Sequence, residues 1–376
     1  MKIIYTIFFV LMTATHASAQ VTETVTNNTE QQLENITENN EDLETEDDTF
    51  LQQLVQFIKD PVNLNTADET ELARLVILSP VQIHNLIMYR MLAVKIIDLY
   101  ELQAIPGWDI VTIQKVRPYI TVSLQVTVAG TLRARLRGGD HQLLIRVSQV
   151  LERSKGYGAD TSTVTNFYPG SPQKIFFRYK YVYKNVLQYG ILGEKDAGEQ
   201  FFKGKQKQGF DFYSAHIFIR RAGIIKSLAI GDFTVNLGQG LTQWQSLAFK
   251  KSADVINIKR EADVLRPYNA AGEINFHRGL GITLAKNNWQ FTAFVSYRNI
   301  DANFVADTLL YQTGYVSSLQ TSGYHRTKRE TDDKGIQRKL AFGANARYRF
   351  KKLHLGINGI HYTFSLPIIK PAEPYN

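Results

Sequence analysis

The chain has 376 residues, with 43 Lys and Arg against 35 Asp and Glu, a formal net charge of +8 and no cysteine. The lack of cysteine excludes disulfides, thiolate metal sites, cysteine nucleophiles and a lipid anchor on an N-terminal cysteine. With 44% hydrophobic and 21% charged residues, the composition is that of an ordered chain and excludes a collagen-like or wholly low-complexity protein.

The first residues have the layout of a secretory signal peptide. Lys2 is followed by an apolar run from Ile3 to Met12, and Ala17-Ser18-Ala19 precedes Gln20. A short apolar run before an A-x-A site is typical of a signal peptide, whereas a spanning helix needs about 20 apolar residues. We therefore expect 1–19 to be a signal peptide, in preference to a buried helix, and the mature chain to leave the cytoplasm.

Charge is divided unevenly along the mature chain. Between Val21 and Asp60, Lys59 is the single basic residue among many acidic ones, and the stretch 20–49 has few apolar residues. Such a composition predicts an acidic disordered linker. After Thr121 the basic residues outnumber the acidic ones, so an acidic linker precedes a basic C-terminal part.

The segment 50–121 has the apolar spacing of short helices. Asn65 or Thr66 can cap a first helix whose apolar stripe includes Leu72, and Ser79-Pro80 separates it from a second helix. A second copy of this helical pattern follows between Leu99 and Ile120. We expect a small helical domain over 50–121.

Two stretches of this segment, Asn63 to Leu72 and Ile105 to Ile120, resemble the tandem helix-hairpin-helix domain of the competence DNA receptor family. The resemblance implies the fold, and it implies contacts of the hairpins with double-stranded DNA. The candidate nucleic-acid-binding residues are Arg90, Lys95, Gly107, Lys115 and Arg117. Asp109 stands where the family has a second glycine, and a carboxylate there repels phosphate. The alternative partner is therefore a periplasmic protein or the cell wall.

After Val122 the spacing of apolar residues changes from 3.6 to 2, which indicates β-strands with one apolar and one polar face. The predicted strands are 131–137, 141–151, 174–184, 211–221, 224–235, 273–284, 288–298, 340–350 and 352–364. Tight reversals are predicted at Arg221-Ala222-Gly223, Lys286-Asn287-Asn288 and 349–352. Long loops are predicted at 152–172, 194–210 and 300–337, and 236–270 is predicted to pack against the inside of the sheet.

Two architectures fit these strands. A soluble β-sandwich or barrel turns its apolar faces inward, whereas an outer-membrane barrel turns them toward lipid and its polar faces toward a lumen. Segments of about ten residues with aromatic ends and alternating basic residues favour the membrane barrel. The residues of the predicted basic lumen ladder are Arg133, Arg135, Arg137, Lys174, Arg178, Lys180, Lys184, Arg347 and Arg349.

The stretch from Gly231-Asp232-Phe233 through Gly238-Gln239-Gly240 to Arg266-Pro267-Tyr268 and Glu273 resembles the helix-hairpin-helix outer-membrane proteins of Bacteroidota. The resemblance implies a location in the outer membrane, with outer-membrane lipid as a partner and the helical domain in the periplasm. The full expectation is an α+β chain in which an antiparallel outer-membrane-type β-barrel occupies 122–376. The proline-rich C-terminal residues have two explanations: Leu353–Phe364 is the final strand and a short tail follows it, or the barrel is incomplete, which is the explanation we favour.

Catalytic motifs are not evident in the sequence. Gly238-x-Gly240 lacks the third glycine of a dinucleotide site, and the eight histidines have no metal-ligand spacing, so neither a cofactor nor a metal is expected. Charged strand residues could imitate an enzyme's site, namely Arg178, Asp232, Glu273 and Arg278, although charge ladders within a barrel explain them better. We expect a non-enzymatic outer-membrane barrel whose helical domain docks a macromolecule. The alternatives are a DNA-uptake envelope protein and a soluble secreted β-protein.

Overall fold

A computed structural model of the chain describes residues 49–75, 77–93, 95–123, 132–157, 167–246, 260, 262–306, 314–350 and 353–370. The predicted signal peptide 1–19 and nearly all of the predicted linker 20–49 lie outside these ranges. All described residues belong to one of the two units into which the chain divides, the one formed by Thr45–Ala248 and Ser252–Asn376.

The described part of 50–121 is helical. Its α-helices are α1 (Thr49–Lys59), α2 (Glu69–Ala73), α3 (Pro80–Ala93) and α4 (Ile110–Val116), with 3-10 turns at Leu99–Ala104 and Arg117–Tyr119. Two short parallel strands, β1 (Val62–Asn63) and β2 (Ile120–Thr121), join the beginning of this segment to its end. Fully buried apolar side chains form its interior, among them Leu54, Phe57, Leu64, Leu72, Leu75, Ile83, Leu86, Ile96 and Leu102.

Helix α2 begins later than the sequence suggested. Asp68 is its N-cap and accepts a hydrogen bond from the backbone N–H of Glu71 at 2.9 Å. Asn65, the predicted cap, instead donates its side-chain amide to the carbonyls of Ile96 and Val122 at 2.8 and 3.1 Å. Asn65 therefore ties the two halves of the helical segment together.

The residues after 131 form a short helix and a large antiparallel sheet. The helix is α5 (Leu132–Arg137), and the strands of the sheet are β3 (Asp140–Ser148), β4 (Lys174–Tyr183), β5 (Leu187–Lys195), β6 (Phe212–Ala222), β7 (Ile225–Val235), β8 (Leu265–Pro267), β9 (His277–Lys286), β10 (Trp289–Ile300), β13 (Gln337–Phe350) and β14 (Leu353–Phe364). A separate pair, β11 (Ala302–Val305) and β12 (Tyr315–Leu319), and helix α6 (Lys328–Asp332) lie between β10 and β13.

The sheet has 10 strands and runs in the order β14-β13-β10-β9-β7-β6-β5-β4-β3, with β8 paired to β7. The α+β class and the antiparallel sheet are thus confirmed. In the described ranges β3 and β14 are the two edges and do not pair with each other, so the sheet is not closed into a barrel.

Several expectations about the strands and loops were wrong. Residues 131–137 were predicted to be a strand, but Leu132–Arg137 is a helix. The loop predicted at 194–210 begins too early, because β5 continues to Lys195, and β5 itself was not predicted. Another predicted loop, 300–337, contains β11, β12 and α6.

Connections between neighbouring strands alternate between short and long. The short ones follow β4, β6, β9 and β13, and positive φ angles at Lys184, Asn185, Arg221 and Asn287 form the first three of them. The long ones follow β3, β5, β7 and β10. Because adjacent strands are antiparallel, all short connections lie at one end of the sheet, the turn end, and all long ones lie at the other, the loop end.

Candidate functional site

One face of the sheet carries a continuous row of exposed apolar side chains. Ile217, Ile230, Leu280, Val295 and Phe342 stand opposite one another on five adjacent strands. Each is between 42% and 47% exposed. Scattered surface hydrophobics are common, but a row that spans several strands indicates a surface that is normally covered. We call this side of the sheet the outer face.

The opposite face, the inner face, holds polar side chains that are buried. Ser214, His216, Thr283, Thr292 and Asn345 are all buried there. Thr283 and Thr292 pair across β9 and β10, with their hydroxyl oxygens 3.0 Å apart. The two faces therefore depart from the simple soluble pattern. Apolar side chains are exposed on the outer face, whereas buried polar side chains lie on the inner face beside buried apolar ones such as Phe218 and Phe294.

Part of the inner face is filled by the segment after β7, as the sequence predicted for 236–270. Leu237, Val264 and Leu265 are buried against Phe218 and Phe294 of the sheet. Gly281 permits this approach, because a Cβ atom there would lie 3.0 Å from a Leu265 methyl carbon. The inner face therefore also holds buried apolar side chains, contributed both by the strands and by the segment that packs on them.

Several residues of the predicted basic ladder lie on the inner face. Arg178 and Lys180 are buried on β4. Lys174, on the same face, forms ion pairs with Glu194 and Asp196, each at 3.1 Å. Arg347 and Arg349 are half-buried on the inner face of β13.

Four ladder residues do not belong to strands. Arg133, Arg135 and Arg137 are on helix α5, and Arg133 and Arg137 are exposed. The alternation there misleads because Leu132 and Leu136 also have the i, i+4 spacing of a helix, and Leu, Ala and Arg are good helix formers. Lys184 is exposed in the turn after β4, with a φ of 41°.

Acidic residues of α2 and its cap meet basic residues at the turn end of the sheet. Asp68 pairs with Lys226 at 2.7 Å, and Glu69 pairs with Arg349 at 3.2 Å. A third pair joins Glu71 to Arg221. The helical segment therefore presents its most acidic turn to the most basic end of the inner face, and the contact between them is electrostatic.

We expect Glu69→Gln to reduce the free energy of unfolding by about 1 kcal/mol, because a well-buried carboxylate loses its charge-assisted hydrogen bond to a half-exposed guanidinium. Urea unfolding at low salt and in 1 M salt measures this loss, which salt should diminish. Glu152→Gln, a change at an exposed carboxylate of the loop end, is the control. An equal effect of both substitutions would contradict the electrostatic contact.

The predicted nucleic-acid-binding residues have different surroundings in the structure. Arg90 donates to the backbone carbonyls of Leu64 and Ala67 at 2.8 and 2.6 Å, so it holds the helical segment together. Gly107, with a φ of 83°, forms the turn before α4. The remaining three are exposed, namely Lys95, Lys115 and Arg117.

The helices after the two hairpin turns have their N-terminal N–H groups occupied by side chains. The Ser79 hydroxyl accepts from the Gln82 N–H at 3.3 Å, and the Asp109 carboxylate accepts from the Thr112 N–H at 2.8 Å. The hydrogen bonds from Thr112 hold the pKa of Asp109 below its usual value. Asp109 thus places a negative charge where a phosphate would approach.

The loop end contains a buried cluster of acidic residues around His325. His325 Nδ1 lies 2.5 Å from Asp211 Oδ2, and His325 Nε2 lies 3.0 Å from Asp301 Oδ2. Lys334 Nζ lies 2.9 Å from the other oxygen of Asp211, and the backbone N–H of His325 donates to Glu199 at 2.8 Å. Two connections between neighbouring strands meet at this imidazole. The connection after β5 contributes Glu199 and Asp211, and the connection after β10 contributes Asp301 and Lys334.

Three groups of this cluster have raised pKa values, so they keep their protons to a higher pH than usual. Burial acts to lower the pKa of His325, but the hydrogen bonds to Asp211 and Asp301 outweigh it and raise the pKa to about 10. Burial and the nearby Asp211 charge raise the pKa of Glu199 to about 7, and burial raises the pKa of Glu273 to about 9. His325 is therefore an imidazolium at neutral pH.

This cluster has the side chains of a metal site, but several of its ligand atoms already take part in hydrogen bonds. Glu199, Asp211 and His325 bring their ligand atoms within 4.8 Å of one another, as do Glu273, Asp301 and His325. However, both nitrogens of His325 donate to carboxylates, and the Asp211 oxygens already accept from His325 and Lys334. The geometry fits an ion-pair latch between loops better than a metal centre.

Sequence reasoning missed this cluster. Its members are far apart along the chain and share no spacing. Of these residues, only Glu273 was among the charged residues singled out from the sequence. The other predicted charged residues lie elsewhere: Arg278 makes a bidentate contact with Asp232 at 2.7 and 2.8 Å, and Arg178 lies 3.5 Å from the Asn269 carbonyl.

Comparison with protein-family models, curated proteins and solved structures finds no match to this chain. Within the described ranges, no helix combines the length and the apolarity that crossing a membrane requires.

Proposed function

We propose that this chain is a non-enzymatic outer-membrane protein, in which the antiparallel sheet forms the wall of a β-barrel and the helix-hairpin-helix segment lies at its periplasmic end. The observation that carries the proposal is the contrast between the two faces of the sheet. The row from Ile217 to Phe342 is exposed, while the polar side chains opposite are buried. In lipid that apolar row would be covered, and the inner face would keep its polar partners.

Two further features support this assignment. Strands of nine to fourteen residues, such as β3 and β13, are long enough for the roughly 9–11 residues that a tilted strand needs to cross the hydrocarbon. Short connections at one end and long ones at the other are the arrangement of outer-membrane barrels, whose short turns face the periplasm. The helical segment contacts the turn end, which agrees with a periplasmic position.

The proposal has a physical requirement at the sheet edges. A bilayer does not tolerate unpaired backbone groups, so β3 and β14 must be paired in the membrane by strands that the described sheet does not contain. Those strands complete the barrel that the proposal assumes.

The helical segment is assigned the docking of a periplasmic partner protein. Met91, Leu92, Ile97 and Tyr100 are largely exposed around the end of α3 and the following 3-10 turn. Apolar side chains grouped on a small helical surface are typical of protein interfaces. Fewer basic residues of this segment are available to DNA than the sequence predicted, because Arg90 is engaged with backbone carbonyls.

Trp289 offers a direct test of the membrane assignment. It is the first residue of β10, is 61% exposed on the outer face and lies 4.6 Å from the Tyr348 ring, as expected of an interfacial aromatic girdle. After reconstitution into phospholipid vesicles, we expect lipids brominated near the headgroup to quench the tryptophan fluorescence strongly.

The matched control is Trp289→Phe, which leaves the buried Trp108 and the inserted Trp244 in place. Quenching should fall sharply in this variant, because Trp108 is shielded by the helical segment. Equal quenching of both proteins, or release of the protein from membranes by a carbonate wash without detergent, would overturn the membrane proposal and favour a soluble β-protein.

A further inference from the structure

A small polar cavity lies between the helical segment and the inner face of the sheet, near the turn end. Its volume is about 40 Å³. A cavity needs roughly 10–15 Å³ for each water molecule, so this one has room for about three waters or one small ion. Gln56, Arg74, Asn185 and Arg220 are among the residues that line it.

The charged residues that line this cavity are all basic. They are Arg74, Lys180, Arg220 and Arg266, which come from the helical segment, β4, β6 and β8. Asp263, which is not part of the lining, is an acidic neighbour of both Arg74 and Arg220. Like charges around a common cavity repel each other, and an anion bound among them offsets this repulsion.

Two of these guanidinium groups depend on the same acceptor. Arg74 and Arg220 both donate to Asn185 Oδ1, each at 3.2 Å. The described carboxylate that pairs with Arg74, from Asp263, is 4.0 Å away. A guanidinium has five N–H donors, so one shared amide oxygen leaves most of this donor capacity for another acceptor.

A second, independent observation concerns Gln56 of α1. It is 7% exposed and lines the cavity, and its buried side-chain oxygen has no hydrogen-bond partner. Rotating the amide by half a turn would put its NH2 group in the same place, because the oxygen and nitrogen of an amide are interchangeable in shape. An acceptor bound in the cavity would then satisfy this side chain.

We propose that the cavity binds one small inorganic oxyanion of the phosphate class, held by Arg74 and Arg220 with a donor from Gln56. Arginine forks suit tetrahedral oxyanions, whose oxygens accept several charge-assisted hydrogen bonds at once. The bound anion joins the helical segment to the sheet, because its ligands come from both. The inference does not depend on whether the outer face meets lipid.

The test is a thermal unfolding titration of the full chain in detergent micelles, freed of phosphate and kept at constant ionic strength with sodium chloride. We expect sodium phosphate to raise the unfolding midpoint in a saturable way, by about 5 °C at 100 times the dissociation constant. Sulfate should act similarly. A midpoint that does not change, or that changes equally with added chloride, overturns the proposal.

Three variants make the test specific to this cavity. Arg220→Gln should lose the response to phosphate, whereas Arg153→Gln, at an exposed position of the loop end, should keep it. Gln56→Glu places a carboxylate where the anion would bind, so it should raise the midpoint without phosphate and abolish the response. A Gln56→Glu variant that is destabilised and still responds to phosphate contradicts the assignment, even if Arg220→Gln does not fold.

Discussion

Replacement of His325 by Gln is expected to lower the free energy of unfolding by about 3–5 kcal/mol, the cost of breaking a buried ion pair by removing one partner. The side chains of His325 and Asp211 are each 1% exposed, so water cannot replace the lost imidazolium. Lys334 would remain beside Asp211, but Asp301 would lose its described cationic partner. Urea unfolding monitored by circular dichroism measures the change.

Lys328→Gln is the matched control for this substitution. Lys328 pairs with Asp332 at 3.8 Å in the same connection between strands, but its side chain is almost fully exposed. Exposed pairs contribute about 0–1 kcal/mol, so this variant should unfold nearly as the parent does. If the two variants were equally stable, the cluster would not be a latch.

The same cluster predicts a pH dependence. The folded-state pKa of His325 is about 10, above its ordinary value of 6.5, so its stabilising contribution is complete below about pH 6.5 and is lost as the pH rises toward 10. Glu199 and Glu273, with pKa values raised to about 7 and about 9, act in the same direction because the folded state holds their protons. Stability should therefore fall as the pH rises from 6.5 to 10, and less steeply in His325→Gln.

Most strands of the sheet could be predicted because their two faces differ so clearly in the sequence. In β10, Trp289, Phe291, Val295 and Tyr297 alternate with polar residues, and the predicted span 288–298 nearly matches the observed Trp289–Ile300. The inward or outward direction of each face could not be read from alternation alone. The burial of polar residues such as Thr292 in the structure shows which face of the sheet is turned inward.

Strand β5 was missed for a physical reason. Gly190 and Gly193 interrupt its apolar pattern, and glycine is uncommon inside strands. The structure explains Gly190, because a Cβ atom there would lie 2.9 Å from the Tyr179 carbonyl oxygen and 3.0 Å from the His216 ring. The close packing around Gly190 requires a residue without a side chain. The regular alternation of apolar and polar residues, from which strands are predicted, is therefore interrupted there.

The latch and the docked helix α2 could not be predicted either, because both depend on contacts between distant parts of the chain. Asp211, Asp301 and His325 come together only when the connections after β5 and after β10 fold over the loop end. The acidic residues of α2 and its cap are visible in the sequence, yet their pairing with Lys226 and Arg349 requires the packing of the helical segment on the sheet.

Val295→Arg is expected to reduce the free energy of unfolding in phospholipid vesicles by about 2–4 kcal/mol. Val295 lies near the middle of β10, between Leu280 and Phe342 in the outer row, where the proposed membrane is most apolar. If the outer face met water instead, the same substitution at a 46% exposed position would change stability by about 0.5 kcal/mol or less. The two environments therefore predict effects that differ severalfold.

Tyr100→Arg is the control, because Tyr100 is 79% exposed on the helical segment, outside the proposed membrane. It should change the free energy of unfolding by about 0.5 kcal/mol or less in the same vesicles. The difference between the two variants removes any general effect of an added positive charge, including its attraction to lipid headgroups. A Val295→Arg variant as stable as Tyr100→Arg would mean that the exposed apolar row does not face hydrocarbon, and another protein surface would then have to cover it.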